Sequence, residues 1–249
     1  MIAGMAGLGL VAARARAEAP PWRMSLVGGG VGQAGVVIEL DRGWKTYWRM
    51  PGEAGIPPQF DWSRSTGVAT VEVLYPVPGR FHDASGETIG YETRVVFPLK
   101  LSGAAAMELR LDLFFAVCKD ICIPASASAS LSLPASASAG LSLKAASHGG
   151  DIADWLGRVP VAGTVVRAVR GGVENGKPVI VVALSQRVDD IFVEAETSAY
   201  FRAPVFSGDG LEAQLVVDNI KDIASLKGKT LKLTLATGHS GLEQSLNVD

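Results

Sequence analysis

Cys118 and Cys122 are the two cysteines of the chain, and they stand in Phe114-Phe115-Ala116-Val117-Cys118-Lys119-Asp120-Ile121-Cys122-Ile123-Pro124. Closing so short a loop removes little unfolded-chain entropy, about 2 kcal/mol, against about 5 kcal/mol for a loop of 100 residues. The pair is therefore a poor staple between distant strands. Residues four apart on a helix hold their Cβ atoms roughly 5–6 Å apart, whereas a disulfide needs about 3.8 Å, so the spacing favours a turn. Two thiols held together on a turn suit exchange: one thiolate attacks a disulfide and the second resolves the mixed disulfide. Lys119 is a neighbouring positive charge that favours a thiolate, and Asp120 opposes it.

Three chemistries fit these residues. One is a fixed structural disulfide and another is thiol-disulfide exchange. The third is binding of a soft metal such as Cu(I), with a histidine as third ligand. His82, His148 and His239 are the histidines of the chain, and none lies at metal-motif spacing from the cysteines. The Cys-x-x-Cys-His pattern of haem attachment is absent. There is no phosphate loop, paired carboxylate motif or Ser-His-Asp ordering. No cofactor is expected.

The elements that must position the pair read as mostly β. In 249 residues, 48% are hydrophobic and 19% charged, enough apolar material for one large domain or two ordinary ones. Twenty-three basic residues against 25 acidic ones, with no basic run, argue against nucleic acid as a partner. No run reaches the 18 or so apolar residues of a membrane-spanning helix. β-like segments are expected at Gly35–Leu40, Val68–Tyr75, Thr93–Leu101, Met107–Phe115 and Ser130–Leu133. Further ones are expected at Thr164–Val169, Pro178–Leu184, Asp190–Glu194, Ala199–Phe206, Glu212–Val217 and Thr230–Ala236. Asn175-Gly176 between two such runs predicts a hairpin. Gly150–Val159 predicts a short helix and Asn219–Leu226 one more turn. Trp44, Tyr47, Trp48, Phe60 and Trp62 read as core and loop-anchoring aromatics, because Pro51, Pro57 and Pro58 hold an irregular stretch that needs packing partners.

The expected fold is all-β: two immunoglobulin-like sandwich lobes with few short helices, at residues 20–145 and 146–249. Before them, residues 1–19 combine a short apolar run with overlapping Ala-x-Ala steps, the pattern of a cleaved export signal. No Lys or Arg precedes the apolar run. Export places the mature chain in an oxidising compartment.

The string from Gly43 to Trp62 is long and unusual. Together with Tyr75-Pro76-Val77-Pro78-Gly79-Arg80-Phe81, Gly90-Tyr91 and the Cys118–Pro124 segment, it resembles the N-terminal (alpha) domain of the thiol:disulfide interchange protein DsbD, in its ScsB-like branch. The resemblance spans about residues 25–135, and the second lobe shares only a β pattern with it. It implies a periplasmic immunoglobulin-like domain whose cysteine pair takes electrons from a membrane donor and passes them to periplasmic disulfide-containing proteins. By resemblance Cys122 forms the mixed disulfide and Cys118 resolves it. A cap loop shields the pair in the family. The corresponding stretch runs from Arg80 to Tyr91, with Phe81, His82 and Tyr91 as candidate shields and Asp83 and Glu87 as candidates for tuning the thiols. The best-known members carry more residues between their cysteines. Full-length relatives continue into a multi-helix membrane domain and a thioredoxin-like domain. The chain ends at Asp249 with neither, which implies a DsbD- or CcdA-like donor on a separate chain, or a fragment of a longer protein.

Overall fold

The structure, a computed structural model, describes residues 19–30, 33–83, 86–133 and 149–248. The expected export segment, except for Ala19, lies outside the described residues. So do His148 and the stretch 134–148, which contains the expected lobe boundary.

The described residues form strands β1 to β18, one α-helix and one 3-10 turn, in agreement with the all-β expectation. The first half builds a nine-stranded sheet in the order β1 (Trp22–Gly30), β2 (Gln33–Leu40), β8 (Arg94–Cys118), β3 (Lys45–Gly52), β7 (Gly86–Glu92), β6 (Gly79–Asp83), with β4 (Gln59–Asp61), β5 (Thr66–Val73) and β9 (Cys122–Leu133) also pairing with β8. Strand β8 (Arg94–Cys118) is its spine. Its first part pairs with β2 (Gln33–Leu40) and β5 (Thr66–Val73). Its second part pairs with β9 (Cys122–Leu133), β4 (Gln59–Asp61) and β3 (Lys45–Gly52). Thr93–Leu101 and Met107–Phe115, read from sequence as two strands, are therefore one strand that changes partners along its length. Leu109, Leu111, Leu113, Phe115 and Val117 alternate inward from it and are almost fully buried. They meet Trp48, Val95 and Phe97 in one core, where the rings of Phe60, Tyr75 and Tyr91 stand 5.5, 5.2 and 5.5 Å from Phe97.

The second half is a sandwich. One sheet runs β10 (Val161–Ala162), β18 (Ser240–Asn247), β17 (Thr230–Thr237), β13 (Asp190–Ala195), and the other β11 (Val166–Glu174), β12 (Lys177–Leu184), β16 (Glu212–Asp218), β14 (Tyr200–Phe201), with β15 (Val205–Phe206) also on β16. Between them lie Val169, Ile180, Val182, Ile191, Leu215 and Leu233. The Asn175-Gly176 turn joins β11 (Val166–Glu174) to β12 (Lys177–Leu184), with φ of 49° and 76° at its two central residues, as a tight hairpin requires. The 3-10 turn (Ile223–Leu226) falls within the expected Asn219–Leu226 segment. Helix α1 (Gly149–Leu156) packs Ile152 against Val27, Val37 and Val96 of the first sheet, and Asp151 pairs with Arg94 at 2.8 Å.

The two halves meet through both apolar and charged contacts. Phe192 and Ala236 of the second half enter the core of the first, and Phe192 stands 5.7 Å from Trp48. Around them Arg49 reaches Glu194 at 2.6 Å and Glu243 at 2.6 Å, and Arg80 donates to both oxygens of Asp190 at 3.0 Å.

Candidate redox site

Strands β8 and β9 pair without a register shift from Met107↔Leu133 to Cys118↔Cys122. The register ends with the two cysteines directly opposite one another, and Lys119, Asp120 and Ile121 alone close the hairpin. Cys118 and Cys122 form a disulfide across this last rung. Side chains on facing positions of a pleated pair lie on the same face, so the inward alternation of β8 leaves Cys118 and Cys122 together on the opposite face from Val117.

The two cysteines differ in exposure. Cys118 is 2% exposed and packs in a small cluster with Tyr47, Ala116 and Ile56, whereas Cys122 is exposed. Ile121, at 74% exposure, projects from the tip, and Phe114 and Ile123 are also exposed beside it. A reagent approaching the tip meets Cys122 first.

β3 carries a side chain that reaches the Cys122 sulfur. It lies between β8 and β7 (Gly86–Glu92), so Lys45 faces Cys118 on one side and Glu92 on the other. Two residues on, the buried Tyr47 hydroxyl stands 3.2 Å from Cys122 Sγ. A disulfide sulfur has no proton, so the hydroxyl is the donor. Gly55 closes over the ring: its φ is 127°, and a Cβ there would lie 2.4 Å from Tyr47 Cε1. From sequence Tyr47 reads as a core and loop-anchoring aromatic; it packs, and its hydroxyl also meets the disulfide.

The expected shields separate by strand alternation. The described residues of the Arg80–Tyr91 stretch pair as strands β6 (Gly79–Asp83) and β7, down to Asp83 opposite Gly86. Phe81 lies on the cysteine face: Lys45, opposite Cys118, donates to Thr88 Oγ1 at 2.7 Å and stands 5.8 Å from the Phe81 ring. Tyr91 lies in the rung Thr46–Tyr91–Val117, on the core face. Its hydroxyl donates to Pro76 O at 2.8 Å, and burial holds that hydroxyl well above the ordinary tyrosine range. His82 is exposed and its Nε2 meets Glu87 Oε2 at 3.0 Å. The Asp83 side chain lies outside the described residues. Lys119 and Asp120 are exposed at the tip, and the Lys119 stem lies over Gly43.

Glu87, considered from sequence as a tuner of the thiols, is buried on the face away from them. It accepts from Arg80 and from the Tyr200 hydroxyl. Burial by itself would raise its carboxyl, but the Tyr200 hydrogen bond and the Arg80 charge hold it below the usual glutamate range. Among the described residues no group of three or more His, Cys, Asp or Glu side chains is placed to hold a metal ion.

Residues 14–134 match the family model described as "Thiol:disulfide interchange protein DsbD, N-terminal". No curated protein sequence matches the chain. Among solved structures, the chain is similar to the crystal structure of the N-terminal periplasmic domain of ScsB from Proteus mirabilis. The identity is 22% and the TM-score 0.66, over 91% of this chain and 92% of that one. That likeness extends through both halves and is one of fold. With its cysteine pair on the last rung of a β-hairpin in an immunoglobulin-like sheet, the segment 14–134 is an N-terminal domain of the DsbD family.

Proposed function

We propose that the protein performs thiol-disulfide exchange in the periplasm through Cys118 and Cys122. The observation that carries this is the asymmetry of the pair: an exposed Cys122 bonded to a buried Cys118, with the Tyr47 hydroxyl on the sulfur of the exposed residue. A donor thiolate attacks Cys122 Sγ, and the sulfur–sulfur bond breaks with its electron pair leaving on Cys118. The Cys118 thiolate is protonated, and a second donor thiol releases Cys122, so two electrons have entered and the donor leaves as a disulfide. In the reduced protein Cys122 then attacks an acceptor disulfide and expels one acceptor thiolate. Cys118 attacks Cys122 in the mixed disulfide, frees the second acceptor thiolate and restores the original bond. The Tyr47 hydroxyl stabilises negative charge on Cys122 in both directions. Lys119 and Asp120 border the reacting sulfur and tune it, and Phe81 borders the Cys118 side.

The donor is a membrane protein, and the acceptors are periplasmic disulfide-containing proteins. Residues 1–19 act as the export signal, residues 20–145 carry the redox chemistry and residues 146–249 form the second lobe.

The test is the reduction potential of the pair, by equilibration in glutathione or dithiothreitol buffers. A potential between about −120 and −270 mV, the span of exchange proteins, supports electron transfer. A potential below about −300 mV marks a fixed structural disulfide and overturns the proposal. In a Cys118→Ser variant the mixed disulfide on Cys122 has no resolving thiol and accumulates, which identifies the acceptor.

A further inference from the structure

Two carboxylates of the first sheet, Glu53 and Glu87, lie on the segments that flank the cysteine pair, and both are gripped from the second half of the chain. Glu87 Oε1 accepts from the Tyr200 hydroxyl, and its Oε2 lies 3.4 Å from the Ala203 amide. Glu53 Oε1 accepts from Arg202 at 2.7 Å. The two carboxylate residues are also tied to each other. The Glu87 amide donates to Glu53 Oε2 at 2.8 Å, and the Glu53 amide donates to Glu87 O at 2.9 Å.

From this tie two short routes lead to the pair. Two and three residues beyond Glu53, Gly55 lies against the Tyr47 ring and Ile56 packs with Tyr47, Ala116 and Cys118. One residue beyond Glu87, Thr88 holds Lys45, the cross-strand neighbour of Cys118. Tyr200 lies on β14 (Tyr200–Phe201), with Arg202 just beyond it, and neither touches a sulfur. Both fix the backbone that fixes Tyr47.

We propose that the second lobe is a positioning element of the redox site: Tyr200 and Arg202, acting through Glu87 and Glu53, hold the Tyr47 hydroxyl on Cys122. This rests on the exchange chemistry proposed above and assigns that site a support about 80 residues away in sequence. Tyr200 and Arg202 are positioning residues.

The experiment is the pH profile of iodoacetamide alkylation of Cys122 in the reduced full-length protein. It compares the parent with Tyr200→Phe, Arg202→Gln and Tyr47→Phe, singly and combined. Tyr200→Phe keeps the ring and loses the hydroxyl, and Arg202→Gln changes a partly exposed group, so either one serves if the other does not fold. Glu243→Gln is the control. It weakens the neighbouring Arg49 contact between the halves without touching Glu53 or Glu87. The charged groups nearest the pair, Lys45, Lys119 and Asp120, stay unchanged.

The expected result is a midpoint displaced to higher pH in Tyr200→Phe and Arg202→Gln. The thiolate fraction at neutral pH falls by about threefold or more, within the range of coupling in contact networks. In the Tyr47→Phe background the same substitutions add nothing, and Glu243→Gln leaves the profile in place. An unmoved profile in both variants overturns the proposal. So does a displacement that persists without the Tyr47 hydroxyl or that appears equally in Glu243→Gln. The alkylation profile reads the support whether or not the pair exchanges with partners, while the reduction potential of the parent reads the exchange.

Discussion

Tyr47 donates to the sulfur of the more exposed cysteine, and that single contact separates the pair from an ordinary hairpin disulfide. A hydrogen bond to a charged group contributes about 1.5–3 kcal/mol, and 1.4 kcal/mol corresponds to about 30 mV for a two-electron couple. Tyr47→Phe removes the donor without opening a cavity. The Cys122 thiolate then loses its partner, its pKa rises, and the reduced form is less favoured. The reduction potential of Tyr47→Phe is expected to be more negative than the parent's by about 30–65 mV, measured in the same glutathione buffers. An unchanged potential would show that the hydroxyl only packs. The cysteines were readable from sequence because their chemistry is local: two thiols four residues apart on a turn. Tyr47 was not readable as their partner. It lies 75 residues from Cys122, and only the pairing of β3 with β8 brings them together. The string Trp44 to Trp62 showed a packed aromatic stretch, and which ring faced the thiols depended on a strand alternation that sequence did not reveal.

At the scale of elements, hairpin β8–β9 does not depend on its disulfide. The register from Met107 to Cys118 is set by Leu109, Leu111 and Leu113, whose burial a one-residue slip would reverse. The covalent closure of so short a loop adds about 2 kcal/mol at most. Reduction of the pair is therefore expected to leave the far-ultraviolet circular dichroism in place. It should lower the thermal midpoint by less than about 8 °C, on the basis of 2–4 °C per kcal/mol for a chain of this size. Loss of the fold on reduction would be incompatible with a carrier that must exist in both states. The neighbouring pairing of β3 with β7 is more fragile. A Cβ at Gly90 would lie 1.9 Å from Thr46 O, so Gly90→Ala forces the two strands apart next to the site. A cost of about 2 kcal/mol or more is expected, seen as a lower midpoint in denaturant. Period-2 patterning disclosed many of the second-lobe strands. It missed β3 and the β6–β7 hairpin, where Pro51, Gly79 and Gly90 interrupt the pattern, and so the stretch over the pair read as a loop.

Across the whole molecule, the two halves are joined by side chains that come from segments more than 100 residues apart, such as Arg49 with Glu194 and Arg80 with Asp190. Charges this dispersed read in the sequence as ordinary solvated residues. Two lobes could therefore be expected from the strand pattern, but not the contact between them. Glu87 sits at the centre of that contact and gives it a pH dependence whose sign is fixed. The Tyr200 hydroxyl and the Arg80 guanidinium hold its carboxyl below the usual range, against the opposing effect of burial. A carboxylate depressed in the folded state binds fewer protons there than in the unfolded chain, so stability rises with pH across the interval between the two values. The contribution is fully present above the ordinary glutamate range, near about 4.3, and is lost as pH falls through the lower folded-state value. Glu87→Gln is expected to lower the thermal midpoint at neutral pH, because it leaves Arg80 with one carboxylate partner fewer in a buried setting. The gap between variant and parent should then narrow as the pH drops below that range, measured by thermal unfolding at a series of pH values. A gap of constant size would mean that Glu87 contributes through shape alone. A gap that closes on acidification ties the joining of the halves to the ionised carboxylate that also anchors the hairpin beside the thiols.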